Sequence, residues 1–351
     1  MAELVFILTD FFSVADAGGH GVDDGAGLPR LPLLETILAR SRAALLDSDW
    51  RGWLACRFPA EPVRASAPPA PMTDSVAGTV AAAWDASPGS GTAGGQVWLA
   101  SPVHYFAGIA SVYLHPAGLL RLDSREQDTL VADFGRVFAG SPWALRSIGQ
   151  RELLLSGPTL AASGADPARF AGRDPSAGLP RGEGAAALRG LGAEMEMWLY
   201  EHPLNLERHS RGELPVTTLW LWGGEANCGL PLPVGARARA QPAQLYGRDT
   251  YAEALWRLQG REARALPASF DAAPIAAHAD AIFLYSLLQP AGLTAALLQF
   301  EQHWLAAALR ALRRRRVSLL RLLIGRRSYS LGALDLARFW RARAPWWETL
   351  T

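Results

Sequence analysis

The chain of 351 residues contains no lysine, so all 34 of its basic residues are arginine. That absence excludes a phosphate-loop lysine, a Schiff-base lysine and a lysine general base. Any anion must be held by guanidinium groups, backbone N–H groups or histidine. Cysteine is scarce as well. Cys56 and Cys228 are the only two, too few for a disulfide framework or a cysteine metal site. Net charge is small, +1 with histidine neutral, which gives no whole-chain argument for nucleic acid or a membrane surface. Long hydrophobic runs are missing too. The longest, such as Ala281 to Leu288, fall far short of a bilayer span. With no signal-peptide pattern, the expectation is no membrane span and a cytoplasmic location.

Apolar residues make up 50% of the chain, enough for one large core or two smaller ones. Leu4 to Leu8 (LVFIL) reads as a buried parallel strand with Asp10 just beyond its C-terminal end. Ligand sites in open α/β sheets lie at that end. Asp10 is therefore a site candidate, and equally a turn or capping aspartate. Pro32 to Leu46 has helical spacing, and five prolines mark residues 58–72 as a linker or extended loop.

Residues 96–158 read as strand, strand, helix and strand, an α+β subdomain. Ser101-Pro102-Val103-His104 follows its first strand, and Asp123 or Ser124 caps its helix with Glu126 in the first turn. Residues 159–184 read as a connection. Ala185 to Glu201 is a helix ended by Pro203, because the residue before a proline avoids the α region.

The richest stretch is Glu201 to Gly224. It holds His202, Asn205 and Arg208, then an alternating strand from Pro215 to Trp222 that stops at Gly223-Gly224, where the backbone can be approached closely. Further on come strands at Ala281 to Leu288 and Val317 to Ile324, a helix from Leu293 to Leu312, a hairpin into Ser328 to Leu331, and a last helix from Leu334 to Arg343. The run Arg313 to Arg316 reads as a solvated helix end, and nucleic acid is not expected as a partner. Alternating strands and helices at both ends of the chain predict an α/β fold with a mainly parallel sheet and helices on both faces.

His202-Pro203-Leu204-Asn205, then Arg208, Gly212, Pro215 and the strand into Gly223-Gly224 resemble the signature of the archaeal-type, cofactor-independent phosphoglycerate mutases of the alkaline phosphatase superfamily. Leu245 to Gly260 is similar to the helix before the second half of that family's catalytic sheet, and residues 96–158 resemble its inserted α+β domain. A group of proteobacterial phosphoglycerate mutase-like proteins is more similar still, with Ser101-Pro102-Val103-His104-Tyr105 among the matching residues. The resemblance implies an alkaline phosphatase-like domain from residues 1–95 and 185–351, two manganese or zinc ions held by Asp and His, and a serine nucleophile.

The sequence departs from that pattern where the metal ligands belong. Gln289-Pro290-Ala291-Gly292 stands after one strand and Gly325-Arg326 after another, and Trp222 replaces an arginine. Asp10 alone matches a metal position, and Thr73-Asp74-Ser75 lies nearest the nucleophile. The first expectation is thus a metal-free, non-catalytic or regulatory homologue without cofactor. It would bind a small phosphorylated metabolite through His202, Asn205, Arg208, Trp222, Gly223 and Gly224. The alternative is an active mutase or phosphohydrolase using manganese or zinc, with Asp10 as ligand and Ser75 or Thr73 as nucleophile. A third is a protein-interaction module presenting Trp220, Trp222 and the Trp346-Trp347 tail.

Overall fold

A computed structural model describes residues 2–10, 29–47, 49–57, 75–84, 95–108, 111–148, 152–224, 243–275, 279–288 and 292–350. The chain divides into two compact units, residues 1–60 with 231–351, and residues 61–230.

The first unit is α/β, built on a six-stranded mixed sheet. Gln244–Tyr246, Ala281–Ser286, Glu3–Thr9 and Leu319–Ile324 lie parallel in that spatial order. Arg327–Gly332 and then Arg42–Leu45 extend the sheet antiparallel. The apolar run of the first strand is central because both of its faces are covered. Leu4, Phe6 and Leu8 enter a core with Phe283, Leu322, Phe300, Trp304 and Ile37. Val5 and Ile7, on the opposite face, are also buried. Helix Pro32–Arg40 and the long helix after Gly292 pack on the first face. Helix Trp50–Ala55 lies toward the second, where Glu3 accepts from Arg57 and Arg321, and both guanidiniums lie over the Trp53 ring. The long helix runs as Gly292–Phe300, one π-helical turn at Glu301–Leu305, then Ala306–Arg313. At the π turn the Glu301 carboxylate accepts from the Leu34 backbone N–H.

The second unit carries a five-stranded antiparallel sheet. Its central strand, Gln96–Ala107, pairs with Leu153–Gly157 and Val112–Leu119 along one side and with Thr218–Trp222 along the other; Ala144–Ser147 pairs with Leu153–Gly157. Helices Ser124–Val137 and Ala185–Tyr200 cover one face. There Leu130, Phe134, Leu188, Met195 and Leu199 meet Trp98, Ala100, Leu155, Leu219 and Leu221. Helix Val76–Trp84 packs against the central strand.

Several elements differ from the sequence reading. Ser101 to His104 lies inside the central strand, and the register shifts between Val103 and Tyr105. The helix from Ala185 stops at Tyr200, with His202 extended before Pro203 as expected, but Pro203 does more than end it. It opens a second helix, Pro203–Ser210, at the first helical position, where its missing N–H costs nothing. The helix at Pro32 stops at Arg40, and Arg42–Leu45 becomes an edge strand. Only a short turn, Asp335–Ala337, forms where a helix from Leu334 to Arg343 is expected. The second unit also reaches well beyond residues 96–158. Thr218–Trp222 pairs with the central strand, and that pairing carries helices Ala185–Tyr200 and Pro203–Ser210 into the unit. The expected connection at 159–184 contains a small ribbon, Ala162–Ser163 with Arg181–Gly182.

Candidate functional site

The HPLN stretch forms a clip. His202 caps helix Pro203–Ser210, its Nδ1 accepting from the Leu204 N–H at 3.2 Å. The ring proton is therefore on Nε2, which lies 3.1 Å from Asp133 Oδ2 at an angle too bent for a good hydrogen bond. Burial lowers the His202 pKa below the usual histidine value, and nearby Asp133 only partly opposes that. The imidazole is neutral at pH 7.

Asn205 is buried, and its amide closes a loop. Nδ2 donates to Leu199 O at 2.7 Å and Val216 O at 2.9 Å, while Oδ1 accepts from Val216 N at 2.7 Å. One side chain thus ties the end of helix Ala185–Tyr200 to the start of the next strand. Arg208 is buried too. It donates from Nε to Leu214 O at 2.8 Å and from Nη1 to both Glu126 carboxylate oxygens, at 2.9 and 3.0 Å. Glu126 itself belongs to a capping box with Asp123, accepting from the Asp123 N–H at 2.9 Å. The Asn205 amide and the Arg208 guanidinium are engaged within the second unit, joining its helices to its sheet, while His202 Nε2 is buried without a hydrogen bond. The sequence reading makes them a ligand pocket; in the structure they face inward and hold the fold.

Trp222, Gly223 and Gly224 likewise meet protein. Trp222 is 5% exposed, and its indole N–H donates to Ser101 Oγ at 2.8 Å. Gly223 has φ +73, and its carbonyl accepts from the Ala77 N–H at 2.9 Å. A Cβ on Gly224 would stand 2.4 Å from the Trp98 ring, so the close approach serves an indole and not a ligand. Trp220 is 3% exposed, stacks on Phe170 and donates to Ala165 O. His104 contacts the Pro215 carbonyl through Nδ1 at 3.0 Å, and burial lowers its pKa.

Asp10 stands differently. It sits at the C-terminal edge of the parallel sheet in a left-handed conformation, φ +62, which a non-glycine residue seldom adopts. Its Oδ2 accepts from Ser286 Oγ at 2.6 Å and from Thr9 Oγ1 at 3.0 Å. Thr9 and Ser286 are register partners on adjacent strands. Both hydroxyls escaped the sequence reading. The usable signal was that two parallel strands each end in a hydroxyl residue. Ser75 lies in the second unit, buried, with its Oγ accepting from the Gly78 N–H as a helix cap. Thr73 and Gln289-Pro290-Ala291 lie outside the described residues. Among the described residues no group of three or more His, Cys, Asp or Glu side chains could hold a metal.

No family model matches the chain, and no curated protein matches it. Two solved structures align over most of its length. One is a cofactor-independent phosphoglycerate mutase from Thermoplasma acidophilum, at 12% identity, covering 95% of this chain and 90% of that one, with a TM-score of 0.34. The other is a Pyrococcus horikoshii protein at 10% identity, covering 94% of this chain and 87% of that one, with a TM-score of 0.37. At these values the likeness is slight. No described helix is long and apolar enough to cross a membrane.

Proposed function

We propose that the chain is a phosphoglycerate mutase-like protein of the alkaline phosphatase superfamily that works without two-metal phosphoryl transfer, in a regulatory or ligand-binding role. The observation that supports this reading is the turn at Gly325-Arg326. The resemblance implies a metal-binding Asp-His pair after strand Leu319–Ile324. The chain instead folds straight back, with Ile324 opposite Arg327 and Gly325 at φ +57. Arg326 donates to the Asp47 carbonyl at 3.1 Å, so a fixed cation closes that edge. Two divalent ions bridging a phosphoryl group need several carboxylate or imidazole donors. Asp10 Oδ2 accepts from the hydroxyls of Thr9 and Ser286, and neither hydroxyl is a donor of that kind.

One observation favours the alternative of an active mutase or phosphohydrolase with a rearranged site. Asp10 holds a strained backbone, and strain of this kind gathers at functional positions. Metal analysis separates the two readings. The purified protein, from cells supplied with manganese and zinc, is expected to carry neither at stoichiometric level and to leave 3-phosphoglycerate unchanged. Near-stoichiometric metal that disappears in Asp10→Ala would sink the proposal. The phosphorylated three-carbon acids remain the ligand class to screen; with Arg208 held by Glu126, other residues would have to grip the phosphate.

A further inference from the structure

The small net charge hides a sharp asymmetry. Between Arg310 and Arg343 the chain carries eleven arginines and one acid, Asp335, whereas the remainder carries 23 arginines and 32 acids. Arg313 to Arg316 end the long helix, and all four are exposed. Among the described residues no carboxylate pairs with Arg313, Arg314, Arg315, Arg316 or Arg343.

An exposed apolar cluster lies in the same stretch. Leu334 is 84% exposed, Phe339 79% and Trp340 68%. Their segment is fastened beside residues 39–42. Arg338 donates to the Arg40 carbonyl and pairs with Asp335, Arg341 donates to the Ala39 carbonyl, and Arg42 also approaches Asp335. A cavity of about 530 Å³, lined by Arg42, Arg315, Ser318, Ser330, Leu334 and Asp335, joins this segment to the arginine run. One cation of the run, Arg315, and one exposed apolar side chain, Leu334, therefore border the same cavity in the first unit.

Water is a poor solvent for two adjacent aromatic rings and a leucine held this far out, and cations crowded together repel unless an anionic partner meets them. The boundary of an anionic bilayer suits both. Trp and Phe settle at headgroup depth, and guanidinium groups pair with lipid phosphates. Phe339 and Trp340 meet edge to face, at 5.5 Å and 80°. That geometry offers no flat platform for stacked bases, and Leu334 offers none either. We propose that this face docks the protein on an anionic phospholipid surface. Leu334, Phe339 and Trp340 enter the headgroup boundary, and Arg313 to Arg316 with Arg343 meet the phosphates around them. The docking is peripheral and does not depend on how the chemistry at Asp10 is read.

The test is co-sedimentation of the full chain with vesicles of phosphatidylcholine alone and of roughly three parts phosphatidylcholine to one part phosphatidylglycerol. Binding is expected to the mixed vesicles only, and to weaken as salt is raised. Each cation near such a surface is worth on the order of fivefold in partition. A triple variant, Arg314→Gln with Arg315→Gln and Arg343→Gln, is therefore expected to bind on the order of a hundredfold more weakly. Phe339→Ser with Trp340→Ser is expected to lose binding at unchanged charge. All five positions are exposed, so both variants should melt as the parent does. Absence of binding to mixed vesicles, equal binding to the neutral ones, or full binding by the aromatic variant would overturn the proposal. So would a single-stranded oligonucleotide that binds the parent more tightly than the mixed vesicles do.

Discussion

Arg208 shows what a motif residue does when its charge is spent inward. Its guanidinium meets Glu126 and the carbonyl of Leu214, and Glu126 is 7% exposed. Removing the Arg208 guanidinium leaves Glu126 with the half-exposed Arg211 as its guanidinium partner and strips the buried side of the carboxylate. Arg208→Ala is expected to lower unfolding stability by about 3 kcal/mol in urea titration. Arg208→Lys should rescue little, because an ammonium cannot span the carboxylate and the carbonyl in one plane. If Arg208 held a ligand, a phosphorylated three-carbon acid would raise the melting temperature of the parent and not of Arg208→Ala. The engaged guanidinium predicts that any such shift is equal in both.

Among the elements, the ion network beneath Trp53 binds a helix end to two strands. Glu3, on the central strand, faces Arg57 and Arg321. Burial by itself raises the Glu3 pKa, but the two guanidiniums outweigh it and hold the carboxyl at about 2, below its ordinary 4.5. The native value is the lower one, so the stabilisation is complete above pH 4.5 and is lost as pH falls through about 2. Its size is on the order of 2–3 kcal/mol. Urea titrations over that pH range should show the parent losing stability relative to Glu3→Gln; parallel curves would refute the coupling.

Much at this scale was legible in the sequence. The run at Leu4 to Leu8, the capping box at Asp123 and the alternation through Trp222 gave local signals strong enough to name their elements. What escaped was set by distant partners. Nothing local in Pro215 to Trp222 says that it pairs with Gln96–Ala107 and not with the parallel sheet. Nothing local marks Asn205 as a brace between Leu199 and Val216 in place of a ligand contact. Polar residues close together in sequence signal a site and a clip equally well, and burial decides between them only in three dimensions.

At the scale of the molecule, charge and apolar surface are distributed unevenly along the chain, so a balance near zero conceals a face suited to an anionic surface. The vesicle experiment tests that face as a whole. The direction in which the arginine run leaves the core depends on a feature well upstream of it, the π turn at Glu301–Leu305. Such a turn accommodates one residue more than a regular helix would, and one residue is about 100° of azimuth. The turn therefore acts as a phase-setter. Deleting Gln302 would take that extra residue out and let the helix run regularly, with everything after it on its present face. Leu309 and Leu312 would stay in the core, and the four cations would keep their aim. The shortened chain, whose deleted side chain is exposed, is expected to melt close to the parent in calorimetry; a melting temperature far below the parent's would refute this reading of the turn. One turn can thus take up a surplus residue without turning this cationic face away.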